Sequence, residues 1–170
     1  MTTHKIIIAG CGGMSNIWFD YAIARENAEV VGVVDIFEEN ARSMLQKKRA
    51  GCTCIHRLSN ALSATEANLV FDVTIPSSHK QIVSTGLKAG CHVFGEKPMA
   101  ESLEDAEEIV AIAKSTGKRY SVLQNRRYGK EIRAFQSFLK SGALGESARS
   151  TLIFFSVLIL AASATRWTIR

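Results

Sequence analysis

An α/β fold built on a parallel sheet is what this sequence predicts, and three observations carry the expectation. Short apolar runs rich in Val and Ile alternate with longer segments of helical periodicity. The runs are apolar at nearly every position, as strands covered on both faces must be. A glycine-rich stretch stands between the first run and the first helical segment. Alternating strand and helix leads to parallel strands joined by crossover helices.

The strand-like runs are Lys5–Ala9, Glu29–Val34, Leu69–Ile75, His92–Phe94 and Tyr120–Leu123. Between the first two, Ile17, Tyr21 and Ala24 recur on one helical face. Between the last two, Leu103, Ala106, Ile109, Val110 and Ala113 do the same. The stretch from Ser102 to Asp105 reads as a helix start with acids in its first turn, and Gly117 as the stop. The chain has 2 prolines. Pro76 follows the run Leu69–Ile75, and Pro98 follows His92–Phe94 and a short turn. Both stand at the carboxyl ends of predicted strands, the edge where open α/β sheets bind ligands.

Composition narrows the function classes. The chain has 170 residues, 46% of them hydrophobic and 22% charged, which excludes a disordered chain. That length fits one domain with an appendage and is too short for two full domains. The net charge of +5 is scattered. Lys47, Lys48 and Arg49 read as solvated surface, and no basic stripe with interleaved aromatics supports nucleic-acid binding. Of the cysteines, Cys52 and Cys54 are one residue too close for a zinc knuckle and no second pair follows, so no metal is expected. Unpatterned cysteines suit a reducing compartment. The amino terminus runs directly into a strand-like segment without a signal-peptide pattern, so a cytoplasmic protein is expected. The apolar run from Leu152 to Ala162 is shorter than the ~20 residues of a membrane-spanning helix.

Gly10-Cys11-Gly12-Gly13-Met14-Ser15 follows the first run and opens the first helix. This G-x-G-x-x-S pattern has a physical logic. Gly10 permits a tight turn, and Gly12, lacking a Cβ, lets a pyrophosphate approach the backbone. The helix N-terminus then offers unpaired N–H groups and a positive dipole end. Gly13 is a further permissive position. Asp35 ends the next strand, 22 residues past Gly13, close to the ~20 expected for a carboxylate that binds an adenine ribose. An acid there accepts from both ribose hydroxyls and repels a 2′-phosphate, so NAD is favoured over NADP. The pattern predicts a Rossmann-type, doubly wound parallel sheet. Two other readings of it are a glycine-rich turn in an unrelated α/β fold and an S-adenosylmethionine-dependent methyltransferase.

Three further segments are informative. Thr74-Ile75-Pro76-Ser77-Ser78-His79 closes the run beginning at Leu69. The stretch from Gly90 to Pro98, ending Gly95-Glu96-Lys97-Pro98, closes the next. Gln124-Asn125-Arg126-Arg127-Tyr128 closes the last. With Gly10–Met14 and Asp35, these make the chain resemble the glucose–fructose oxidoreductase / inositol dehydrogenase / MocA family from about residue 4 to about residue 155. The Glu-Lys-Pro step is the most specific element. The resemblance implies hydride transfer between a nicotinamide and a carbinol carbon of a sugar or polyol. Lys97 is then the catalytic residue, beside the substrate hydroxyl, stabilising a developing alkoxide or relaying its proton. Gly10, Gly12, Gly13, Met14, Asp35, Thr74, Pro76, His79 and Glu96 form the cofactor site. Glu96 faces the nicotinamide ribose or fixes the lysine, and His79 caps a helix near the cofactor. Pro98 holds the turn, a cis bond being one way to do so. Arg126 and Arg127 anchor substrate or pair with acids between domains. His92 is expected to pack rather than react, and Cys11 is given no chemistry.

The resemblance implies a second α/β domain that binds substrate, and the 170 residues are expected not to include it. The expected organisation is an NAD-binding domain over 1–150 and the start of a substrate domain over 151–170. The expectation for such a chain is cofactor binding with little turnover, because substrate positioning is lost. A surface bared in this way favours homo-oligomers or poor solubility. Residues 156–170 lack family features. Synonymous codons exist for which a displaced frame from Ser156 reads Gly-Ala-His-Phe-Gly-Gly-Phe-Arg-Asp-Glu-Met-Asp-His-Pro, similar to one branch of the family, so a frameshifted tail is expected. The alternative is a short protein with its own apolar tail used in self-association. A non-catalytic NAD-binding regulatory module is the competing function, and a partner chain that supplies the second domain is a third possibility.

Overall fold

The computed structural model describes residues 3–124 and 128–143. Contacts divide the chain after Gln124 into two units. In the first, the elements run β1 (His4–Ala9), α1 (Ser15–Ile23), β2 (Ala28–Val34), α2 (Glu38–Lys48), β3 (Thr53–Ile55), α3 (Leu58–Ala64), β4 (Leu69–Asp72), α4 (Pro76–Lys88), β5 (His92–Glu96), α5 (Leu103–Thr116) and β6 (Tyr120–Leu123). The strands form one sheet in the order β3-β2-β1-β4-β5-β6, and every adjacent pair is parallel. The order reverses between β1 and β4, which creates the crevice where doubly wound sheets bind ligands.

Period-two alternation in β1 divides the core into two layers. Ile6 and Ile8 pack with Trp18, Phe19 and Ala22 of α1 and with Met44 of α2. Ile7 and Ala9 face the other way, against Leu58 of α3, Val83 and Leu87 of α4 and Ile109 of α5. All four β1 residues are buried, and burying each isoleucine contributes roughly 1.5–3 kcal/mol. This explains the unbroken apolar run.

The helix signals at Ser102 and Gly117 hold. The Ser102 side chain accepts from the Asp105 N–H at 3.1 Å, and Gly117 closes α5 in the left-handed region at φ 65°. Other expectations are corrected. The run expected as Leu69–Ile75 ends as a strand at Asp72, because the Asp72 carboxylate accepts the Thr74 N–H and turns the chain, and Pro76 then starts α4. The strand β5 extends to Glu96, past Phe94. Strand β3, Thr53-Cys54-Ile55, has only three residues and no apolar-run signal; it forms by pairing with Gly32–Val34. The Ile17–Tyr21–Ala24 face of α1 points outward, and the buried face is Ser15, Trp18, Phe19 and Ala22. On α5 only Ile109 is fully buried, while Leu103 and Val110 are exposed.

In the second unit, α6 (Lys130–Lys140) is amphipathic, with Phe135 and Phe138 exposed. Arg126, Arg127 and the tail from residue 144 onward, including the expected boundary at 150 and the expected displaced frame, lie outside the described residues. Among the described residues, no helix is long and apolar enough to cross a membrane.

Candidate functional site at the carboxyl edge of the sheet

Sheet register brings the motifs together. Ala9 stands opposite Val34 on one side and Asp72 on the other, and Asp72 stands opposite Gly95. The residues that follow this row are Gly10, Asp35, Val73 and Glu96, so the glycine turn, the acid, the Thr74–Pro76 turn and the Glu-Lys-Pro step leave the sheet along one edge.

Gly10 has φ 90°, and a Cβ built on it would lie 2.6 Å from the Val73 carbonyl oxygen. Both conformation and close approach require glycine there. Gly12 differs: a Cβ would meet nothing within 4 Å. The protein does not need glycine at that position, which fits a role toward a ligand. Met14 is the N-cap of α1 and half exposed, so the first turn of α1 opens beside this space. A dinucleotide pyrophosphate suits that combination of bare backbone and helix N-terminus.

Asp35 is held by backbone and amide donors. Its Oδ2 accepts the Cys11 N–H at 2.8 Å, and its Oδ1 accepts the Phe37 N–H at 2.8 Å and Asn40 Nδ2 at 3.3 Å. A carboxylate has about four acceptor positions, so three donors orient this group and leave capacity for a ribose hydroxyl. Burial, then the Asp35 charge, pushes the Cys11 thiol up to about 12, which keeps it protonated and unreactive.

Thr74 and His79 both belong to a buried network centred on Asp72. The Asp72 Oδ1 accepts the Thr74 N–H at 3.1 Å and the Thr74 hydroxyl at 2.6 Å, and its Oδ2 lies 2.7 Å from His79 Nδ1. Asp72 and His79 are both completely buried. His79 therefore does not cap α4: the cap residue is Ile75, without a side-chain bond, and His79 lies a turn further in. A histidine at that place is drawn inward because Asp72 needs a partner in an apolar layer.

Glu96 closes β5 on the same face as Phe94. Its Oε1 accepts the Trp18 indole N–H at 2.9 Å, and its Oε2 lies 3.4 Å from the Lys97 N–H. Lys97 and Pro98 follow on an exposed turn with a cis peptide bond between them. Tyr120 holds that turn from the other face by donating to the Met99 carbonyl at 3.3 Å. The Tyr120 ring lies over Gly95, where a Cβ would come within 3.1 Å of the phenol oxygen. Burial, then the Asp72 charge, raises the Tyr120 phenol, so it remains a donor. His92 is half-buried at the start of β5, its Nδ1 accepting the Arg119 N–H at 3.0 Å.

Trp18, Asn40, Asp72 and Tyr120 escaped the sequence reading. Asp72 carried a usable signal, a lone acid within an apolar strand. Trp18 and Tyr120 carried none beyond their aromatic character.

A family model described as an oxidoreductase family with an NAD-binding Rossmann fold matches residues 4–124. The chain belongs to the glucose–fructose oxidoreductase / inositol dehydrogenase / MocA family. It carries that family's NAD-binding domain. Relatives in the family include glucose-6-phosphate 3-dehydrogenase of Bacillus subtilis, 33% identical over 83% of this chain and 39% of that protein. Inositol 2-dehydrogenase/D-chiro-inositol 3-dehydrogenase of Lacticaseibacillus casei is 30% identical over 83% of this chain and 41% of its own length. Among solved structures, myo-inositol dehydrogenase from Lactobacillus casei, in complex with NAD(H) and myo-inositol, superposes with a TM-score of 0.76 at 29% identity. That match covers 85% of this chain and 43% of the other. The chain thus spans about two fifths of the length of the family members it matches.

Proposed function

We propose that this chain is the nucleotide-binding part of an NAD-dependent oxidoreductase that acts on the carbinol carbon of a sugar or polyol. The observation that carries the reading is the single edge on which the glycine turn, Asp35 and the Glu96–Lys97 step emerge from neighbouring strands. The substrates named for the relatives, a sugar phosphate and inositols, support the substrate class.

In this reading Gly10, Gly12, Gly13 and Met14 admit the pyrophosphate, and Asp35 accepts from the adenine ribose and disfavours a 2′-phosphate. Thr74 and Pro76 line the turn between them, held from below by Asp72 and His79. Glu96 faces the nicotinamide ribose. When bound, NAD supplies the hydride acceptor. Lys97 stands beside the substrate hydroxyl, where it stabilises the developing alkoxide as a hydrogen-bond donor or relays the released hydroxyl proton to solvent. Arg126 and Arg127 are proposed as substrate anchors.

Residues 1–170 by themselves are expected to bind NAD with little turnover, because the longer relatives hold most of their length outside the part matched here. A substrate-binding part supplied beyond residue 150 or by another chain would restore positioning, which is worth a large part of the barrier. A cytoplasmic setting is proposed from the free cysteines Cys11, Cys52, Cys54 and Cys91, and self-association from the exposed apolar side chains of α1 and α5.

Titration with NAD and a scan of NAD reduction over sugars and polyols test the reading. Binding is expected, and any turnover should fall by about 10²-fold or more in Lys97→Ala. Failure to bind NAD, or turnover indifferent to Lys97→Ala, would overturn it.

A further inference from the structure

We propose that Trp18 is a positioning residue for the cofactor site: its indole N–H fixes the Glu96 carboxylate and thereby sets how tightly the nicotinamide end is held. The proposal rests on the reading of Glu96 as a cofactor contact.

Trp18 is 7% exposed and donates to Glu96 Oε1 at 2.9 Å. Its ring is locked by packing. It meets Phe71 edge to face, with centroids 4.9 Å apart, and Phe71 stacks on Phe94 at 6.0 Å. Phe71 and Phe94 are register partners on adjacent strands, and Glu96 follows Phe94 on the same face of β5. The aromatic row therefore runs from α1 across β4 to the carboxylate. A phenylalanine at position 18 offers an aromatic ring to Phe71 but no N–H, so the bond to Glu96 is specific to tryptophan. An indole N–H donates only, and buried without Glu96 it would be left unsatisfied.

The consequence falls on Glu96. A free glutamate side chain loses rotamer freedom when a ligand orders it. Trp18 orders it beforehand. With Oε1 occupied by the indole, Oε2 is the oxygen left toward Lys97 and a ligand. Position 18 also lies on the helix that begins at the glycine turn, so the helix whose start would hold the pyrophosphate meets the Glu96 carboxylate one turn later.

The experiment compares NADH with ADP-ribose, which lacks the nicotinamide, by calorimetric titration of the 170-residue chain. The key variant carries 3-benzothienylalanine at Trp18, which keeps the bicyclic ring and loses the N–H; Trp18→Phe accompanies it. The expected result is NADH affinity about 3–10-fold weaker with ADP-ribose affinity unchanged. Glu96→Ala should lose at least as much, and adding the Trp18 change to it should lose no more, since the indole acts through the carboxylate. Unchanged NADH affinity in the benzothienyl variant, or an equal loss for ADP-ribose, overturns the proposal while Glu96 remains a contact. Unchanged NADH affinity in Glu96→Ala instead overturns the reading beneath it.

Discussion

The two halves of the candidate site are built in different ways. On the β1–β2 side, the turn after Ala9 and the Asp35 carboxylate are held almost entirely by main-chain groups: the Gly10 N–H donates to the Val34 carbonyl, and the Cys11 and Phe37 N–H groups donate to Asp35. On the β4–β6 side, side chains reach across the fold to hold each turn: His79 to Asp72, Trp18 to Glu96 and Tyr120 to the Met99 carbonyl. Main-chain bonds survive most substitutions, whereas a side-chain bond is lost with its residue. The first half should therefore be sensitive to changes in backbone freedom, and the second to deletion of single side chains.

The largest effect is expected in the second half. Asp72→Ala removes the acceptor for the half-buried Thr74 N–H and hydroxyl and for the fully buried His79. Leaving a buried polar group without its partner costs about 1–3 kcal/mol, and more than one group loses its acceptor here. Chemical denaturation should show a lower midpoint at constant slope, and a loss below about 1 kcal/mol would mean that the network is not what holds this turn.

A pair of glycine variants probes the first half. Gly10→Ala forces a Cβ against the Val73 carbonyl at a φ of 90°, and should cost about 1–3 kcal/mol. Gly12→Ala meets nothing in the protein and should change stability by no more than about 0.5 kcal/mol, while weakening NAD binding. Equal destabilisation by both would erase the distinction between a glycine needed by the fold and one needed by the ligand.

A small effect on the fold is expected at Asp35, which is half-buried: its bonds from Phe37 and Asn40 are exposed, and the bond from the Cys11 N–H is partly buried. Asp35→Ala should leave thermal unfolding nearly unchanged and weaken NAD binding about 10-fold or more. Discrimination against NADP should relax at the same time. NAD affinity equal to the parent's would remove Asp35 from the site.

Much of this was legible in the sequence, and the legible part has a common character. The glycine turn after β1, the cap at Ser102 and the stop at Gly117 are signals written within a few residues of the feature they create. The strand β3 and the true end of β4 were not legible. Three residues are too few to show a period, and Val73, Thr74 and Ile75 look like a strand until Asp72 turns the chain. His79 misled for a related reason: its place near a helix start suggests a cap, while its partner sits one strand end away.

By itself the sequence determined the class of fold, the crossover pattern and the chemistry offered at the carboxyl edge, because strand and helix periods, turn glycines and helix caps depend on neighbours in the chain. Only the tertiary structure decided which side chains hold that chemistry in place. Trp18 and Glu96 are 78 positions apart, and Tyr120 reaches Met99 across 21. Such contacts arise when sheet register aligns strand ends and helices bring their buried faces down on them, and a contact made across the sheet leaves no periodic trace in the residues that make it.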